Sequence, residues 1–137
     1  MEKLAKHELL ERWFPVKEAK HNCKTTKIPK VTEGEVWWAA VGENVGVEIN
    51  GKSDYFYRPV VVFRKLSHLG FMGIPLSTQK HRGSWYVNFR FQNKEVYAAL
   101  SQAKTFSSAR LYTRLGQIAE DDMEKVKDGF RNLYLPE

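Results

Sequence analysis

The residues of this chain best suited to chemistry are Arg58 and the triplet Ser77-Thr78-Gln79. Arg58 opens an apolar run, Tyr57-Arg58-Pro59-Val60-Val61-Val62-Phe63, and the triplet closes another, Phe71-Met72-Gly73-Ile74-Pro75-Leu76. A guanidinium offers fixed donors to phosphate oxygens and keeps its charge at any physiological pH. A serine hydroxyl both donates and accepts. If the runs are antiparallel strands joined by a polar turn near Leu66 to Gly70, their polar ends meet on one rim of a sheet. The rim would then grip an anionic oxygen.

The elements that must hold this rim follow from periodicity. Glu2 to Phe14 reads as a helix with Ala5, Leu9, Leu10, Trp13 and Phe14 on one face, ended by Pro15. Such a helix packs on the main domain in preference to binding a partner. Val16 to Val31 carries Lys17, Lys20, Lys24, Lys27 and Lys30 against Glu18 alone, and reads as a solvated connector in preference to a basic patch on RNA. Residues 1–32 thus form a helix and basic connector, and residues 33–137 the main domain. In that domain Gly34 to Val41 is a strand with Trp37 and Trp38 on opposite faces, one core and one surface or interface. Gly42 to Phe56 is a long loop, a length that in a small domain often signals function. Strands are expected at Tyr57–Lys65, Phe71–Thr78 and Ser84–Phe91, with Trp85 a core or dimer contact more than a base-stacking platform. A turn at Asn93-Lys94 leads into one long bent strand, Glu95 to Phe106. A helical turn at Ser107–Arg110 and a strand at Leu111–Gln117 follow. Ala119 to Leu133 is a helix: Met123, Val126, Phe130 and Leu133 make its buried face, and Glu120, Asp121 and Asp122 fill its first turn. The chain is therefore mainly β, a small bent antiparallel sheet or barrel with a C-terminal helix and an N-terminal helical extension.

At 137 residues there is room for one domain with a real core. The net charge of +6 favours a polyanion, and 13% aromatics with four Trp add the stacking surfaces that single-stranded nucleic acid needs. One cysteine, Cys23, excludes an intramolecular disulfide and fits a reducing compartment. No run is apolar for the roughly 20 residues of a membrane span, and Met1 to Glu8 lacks a signal-peptide core, so a cytoplasmic protein away from membranes is expected. There is no Gly-rich phosphate loop, no zinc-spaced set among His7, His21, His68, His81 and Cys23, and no acid cluster for magnesium. Neither metal nor other cofactor is expected.

Gly34-Glu35-Val36-Trp37-Trp38, Gly46-Val47-Glu48 ahead of Gly51, Arg58-Pro59-Val60-Val61-Val62, Pro75-Leu76-Ser77-Thr78-Gln79, Leu100-Ser101-Gln102-Ala103-Lys104-Thr105 and Ser108-Ala109-Arg110-Leu111 with Leu115-Gly116 occur in that order before the last helix. The succession resembles the MazF/PemK family of toxin endoribonucleases from about Glu33 to Leu133. The resemblance implies an SH3-like barrel, a homodimer, metal-independent cleavage of single-stranded RNA to a 2′,3′-cyclic phosphate and a 5′-hydroxyl, and inhibition by a cognate antitoxin. It places Arg58 and Ser77 at the catalytic centre, with Thr78 the alternative hydroxyl should the alignment slip by one.

The chain departs from the family in four places. Lys52 to Tyr57 looks like an insertion, with Tyr55-Phe56-Tyr57 available as a lid or interface widener. Ser101 stands where an Asp is frequent, and Ala99 and Val47 stand where some members carry Arg and His. Only the Arg-plus-hydroxyl version of the site is then open. In it Arg58 stabilises the phosphorane and Ser77 donates the hydrogen bond. Glu48 is a candidate base or RNA contact, and His81 a weaker one. Thr78, Gln79, Lys80, Arg82, Gln102 and Lys104 are candidate RNA contacts. The competing functions are a non-catalytic RNA- or protein-binding barrel and a gyrase-poisoning toxin of the same fold.

Overall fold

The computed structural model describes residues 4–137. The chain runs α1 (Lys6–His21), β1 (Glu35–Ala40), β2 (Tyr57–Ser67), β3 (Gly70–Ser77), β4 (Tyr86–Phe91), β5 (Lys94–Ala99), β6 (Lys104–Ser107), β7 (Leu111–Gln117) and α2 (Glu120–Tyr134). Short 3-10 turns stand at Thr25–Lys27, Leu100–Gln102 and Ser108–Arg110. The strands make one seven-stranded antiparallel sheet in the order β4-β5-β3-β2-β1-β7, with β6 also on β3. The mainly β architecture with a helix at each end is the expected one, although the ladder stays open between the outer strands β4 and β7.

Alternation along the strands gives the sheet two apolar faces. Val61, Ile74, Leu76, Val96 and Ala98 line one face, and α2 covers it with Met123, Val126, Phe130 and Leu133, the periodic set read from the sequence. Gly129 costs about 1 kcal/mol in helix propensity, but a Cβ there would come 2.5 Å from Val87 Cγ2. Its missing side chain lets α2 lie close. Trp37, Ala39, Val60, Val62, Phe71 and Phe106 line the other face, where Ile49 of the β1–β2 loop packs.

Four expectations fail. The first helix was to end at Pro15, but α1 continues to His21 with Pro15 inside; the expected start at Glu2 lies outside the described residues. A proline there forfeits a backbone bond and costs about 3 kcal/mol. Packing outweighs the loss: Trp13 is 6% exposed, 5.6 Å from the Phe56 ring, with Leu9 and Val16 beside it. The buried stripe is Leu9, Trp13 and Val16, at spacings of four and three, so Leu10 and Phe14 face outward. The long strand expected over Glu95 to Phe106 is broken by the turn Leu100–Gln102. β5 and β6 share one edge of β3, and the register slips by three residues between Leu76↔Ala98 and Gly73↔Lys104, the length of that turn. The hairpin turn sits at Gln92-Asn93, both with positive φ, one residue before the expected pair.

Candidate functional site

In β2 and β3 the pairing Val60↔Pro75 fixes the register, and two further steps along it set Arg58 opposite Ser77. Both residues lie on the face that carries Val60 and Val62 and line one cleft of about 190 Å³, together with Trp38, Lys52, Pro59 and Thr78. Arg58 is half-buried, and burial lowers its pKa from the ordinary arginine value. Its Nε donates to the Asn50 carbonyl. That bond aims the guanidinium, and among the described residues no protein acceptor takes its terminal nitrogens.

Ser77 is 6% exposed. Its Oγ accepts the Gln79 N–H at 3.2 Å and lies 3.3 Å from His81 Nε2. His81 is held by aromatic rings: it stacks on Tyr86 at 4.2 Å with 4° between the planes and meets Tyr97 edge-on at 6.0 Å. Tyr97 is the register partner of Ser77, so the strand pairing that places the hydroxyl also places the ring beside it. With Nε2 unprotonated, His81 can accept from the Ser77 hydroxyl.

Glu48 lies elsewhere. With Gln102 and Lys104 it lines a separate cleft of about 370 Å³. Its Oε1 accepts the Val45 N–H at 2.9 Å and closes a turn of the loop. The titratable group next to Ser77 is therefore His81, the reverse of the order expected. The Gln102 amide is committed to the same loop, accepting from Ile49 N–H at 2.9 Å and donating to the Val47 carbonyl at 3.1 Å. Lys104 holds its ammonium 5.0 Å over the Phe106 ring. Its pKa is lowered by partial burial first and by Arg110 and Lys17 besides, with Glu48 opposing.

Thr78, Gln79, Lys80 and Arg82 are exposed on the loop after β3, and Thr78 lines the Arg58 cleft. Trp85 is 57% exposed and belongs to no core of this chain. Of the row Tyr55-Phe56-Tyr57, Phe56 is buried against Trp13 and Ala40 and cannot lift as a lid. Trp37 is core, as one of the tryptophan pair was expected to be. Trp38 joins Tyr55, Tyr57 and Tyr112 around an open apolar pocket of about 320 Å³ that shares Trp38 and Tyr57 with the Arg58 cleft. Tyr112 was not singled out from the sequence. Period-two alternation along β7 marks only its side, because the ring belongs to the pocket through strand pairing.

A family model described as the PemK-like, MazF-like toxin of type II toxin–antitoxin systems matches residues 32–134. Among curated proteins none matches this sequence. Solved structures share the fold. MazF from Deinococcus radiodurans superposes with a TM-score of 0.62 at 16% identity, over 77% of this chain and 96% of that one. The MazE–MazF complex from the same organism gives 0.56 at 14% identity, over 80% and 99%. An endoribonuclease in complex with its cognate antitoxin from Mycobacterial species gives 0.56 at 16% identity, over 78% and 98%. The ordered motifs, the sheet that carries them and the match over residues 32–134 lead to one conclusion: the chain belongs to the PemK-like, MazF-like toxin family of type II toxin–antitoxin systems.

Proposed function

We propose that this chain is a toxin that cleaves single-stranded RNA without a metal ion, at the cleft between Arg58 and Ser77. The observation that carries the reading is the juxtaposition of three groups. A half-buried guanidinium with free terminal nitrogens shares a cleft with Ser77, whose hydroxyl lies 3.3 Å from His81.

In this reading the substrate's own 2′-OH is the nucleophile. Its proton passes to His81 Nε2, directly or through the Ser77 hydroxyl, and the 2′ oxygen attacks phosphorus. Arg58 donates to the non-bridging oxygens as charge builds on the phosphorane. The bond from phosphorus to the 5′ oxygen breaks, and that oxygen takes up a proton from solvent, to which His81 in turn releases the one it accepted. The products are a 2′,3′-cyclic phosphate and a 5′-hydroxyl. Glu48 and Gln102 act indirectly, by shaping the loop whose Asn50 carbonyl aims Arg58. Thr78, Gln79, Lys80, Arg82 and Lys104 supply contacts to flanking nucleotides.

The catalytic unit is residues 33–137, with 1–32 an addition to it. It works as a cytoplasmic homodimer restrained by an antitoxin with an acidic segment, since a cleft lined by Arg58 and Lys52, with exposed Lys80 and Arg82 on the loop that follows Ser77, draws polyanions of either kind.

Incubation of the purified protein with a long unstructured RNA in excess EDTA tests the reading. Discrete cleavage products with cyclic phosphate ends are expected. RNA left intact at large protein excess would falsify the catalytic proposal and leave the chain a binding barrel.

A further inference from the structure

Cations also gather away from the Arg58 cleft. α1 precedes the family match, and between it and the turn Ser108–Arg110 lies a cleft of about 380 Å³. Lys17, Lys20, His21 and Arg110 line it, and no carboxylate does. The ion pairs among the described residues involve none of these four. Contacts that leave charge uncompensated hold two of them in place. Arg110 donates from Nη1 to the Ala40 carbonyl at 2.9 Å, and the Lys20 ammonium stands 3.6 Å over the Tyr112 ring. Burial lowers the pKa of both. Positive charges held in a partly desolvated cleft that no carboxylate lines are stabilised when an anion enters it.

The cleft also lies close to the proposed site. Ala39 pairs with Arg58 on one side and with Leu111 on the other. Arg58 and the start of β7 are thus two strand spacings apart, about 10 Å. Lys104 lies close enough to Arg110 and Lys17 for both to lower its pKa, with Glu48 opposing. A polyanion leaving the Arg58 cleft across β1 comes within two strand spacings of Arg110 and, beyond it, the Lys17–Lys20 side of α1.

We propose that Lys17, Lys20 and Arg110 form a second phosphate-binding segment, over which an RNA strand leaving the Arg58–Ser77 cleft continues. The N-terminal helix, read from the sequence as packing, and its Lys17 and Lys20, read as part of a solvated connector but carried on α1, then lengthen the RNA track of the barrel. The inference rests on the endoribonuclease reading. A nucleic-acid strand is favoured over an acidic peptide because the cations lie about two strand spacings from the cleft where the phosphodiester is cut, within reach of the next nucleotides of the same strand.

The test uses 2′-O-methyl oligonucleotides, which cannot supply the nucleophile, of ~4 and ~12 nucleotides, the range that small barrels bind. Wild-type protein should bind the longer one at least tenfold more tightly. The double variant Lys17→Gln/Lys20→Gln, at positions where folding is easily checked by circular dichroism, should lose most of that preference. Its salt slope for the longer oligonucleotide should fall by about 1.4, two phosphates at ~0.7 each. Binding of the shorter one, and cleavage of a short RNA, should not change. Lys17→Glu/Lys20→Glu should weaken the longer one further. A glutamine variant that keeps the length preference overturns the proposal. So does one that loses only affinity for polyglutamate, which reassigns the cleft to an acidic peptide. Wild-type protein that binds both lengths equally overturns the track and leaves the endoribonuclease reading standing. Wild-type protein that binds neither, and cleaves no RNA, removes that reading and the track together.

Discussion

The two faces of the sheet are closed in different ways. On one, α2 lays down a regular apolar stripe, with Val126 fully buried and Gly129 allowing close approach. On the other, an irregular loop and a proline-containing helix do the covering, and polar bonds hold much of it. Gln102 grips the loop at Val47 and Ile49, Asn44 takes Asn50 Oδ1 at 2.5 Å and the Ile49 carbonyl at 2.7 Å, and Arg58 takes the Asn50 carbonyl. The helix-covered face keeps its cleft at one end, about 450 Å³ between the first turns of α2 and Glu33, Gly34 and Gln117. A face covered by a loop pinned at points leaves clefts between the points: Glu48, Gln102 and Lys104 stand at one, while the Arg58–Ser77 cleft opens at the rim and takes in Leu76 and Val96 of the α2 face as well. The comparison teaches that the candidate chemistry gathers where regular covering ends, at the loop face and at the rim that it shares with the α2 face.

The largest effect expected from breaking this arrangement is at Trp13. Trp13→Ala should cost about 3–5 kcal/mol of local stability, the range for removing a large buried ring. Trp13 lies against Phe56 and within 2.5 Å of where a Gly42 Cβ would stand, so the loss should fall on α1 and the loop. Hydrogen exchange should show amides of residues 41–57 opening well before those of α2. Uniform acceleration across both faces would mean that the sheet unfolds as one unit, whatever covers each face. Next is Arg58→Ala, expected to slow RNA cleavage by at least about a hundredfold, the scale for removal of a transition-state donor. The variant should still fold, with a modest fall in melting temperature from the lost bond to Asn50. Unchanged cleavage would take Arg58 out of the chemistry.

Where the sequence is regular, the fold was legible in it. Period two named the strands, and a spacing of three and four named α2 and its buried side chains. The rim was legible too, because antiparallel pairing of two neighbouring runs leaves few choices for which ends meet. What stayed hidden depends on contacts distant in sequence. Pro15 reads as a stop, and only the seat of Trp13 under the β1–β2 loop explains why the helix passes through it. His81 ranks below Glu48 in the sequence because nothing local shows that Tyr86 and Tyr97 will hold its ring beside Ser77. Gln102 reads as an RNA contact because its 53-residue reach to Ile49 has no periodicity to announce it.

A smaller effect sharpens the comparison at Gln102. Gln102→Ala removes both of its bonds to the loop and should cost roughly 1–2 kcal/mol locally, the net worth of two ordinary hydrogen bonds. Since the amide positions the loop whose Asn50 carbonyl aims Arg58, kcat should fall severalfold, far less than for Arg58→Ala. A loss as large as that of Arg58→Ala would place Gln102 itself in the chemistry and Glu48's cleft within the catalytic centre.

The smallest effect tests a point that both faces share. Glu35 opens β1, accepts the Thr32 N–H at 2.6 Å and Trp37 Nε1–H at 3.3 Å, and pairs with Arg114 of β7 at 2.6 Å. Burial alone would raise its pKa, but Arg114 and the two N–H donors outweigh that and hold it below the ordinary glutamate value. A carboxylate whose pKa is depressed on folding adds stability above its unfolded pKa, and that stability is lost as pH falls through the lower folded value. Melting temperature should therefore decline on acidification across the window from the ordinary glutamate pKa down to the depressed one. Glu35→Gln keeps an acceptor and drops the charge; it should melt lower at neutral pH by about 1 kcal/mol of stability, the scale of a partly exposed ion pair, and show a shallower acid limb. Because Glu35 fastens β7 to β1 beneath both faces, acid should loosen the loop and α2 together, unlike Trp13→Ala. An acid limb confined to the loop face in hydrogen exchange would show that Glu35 serves the connector and not the sheet.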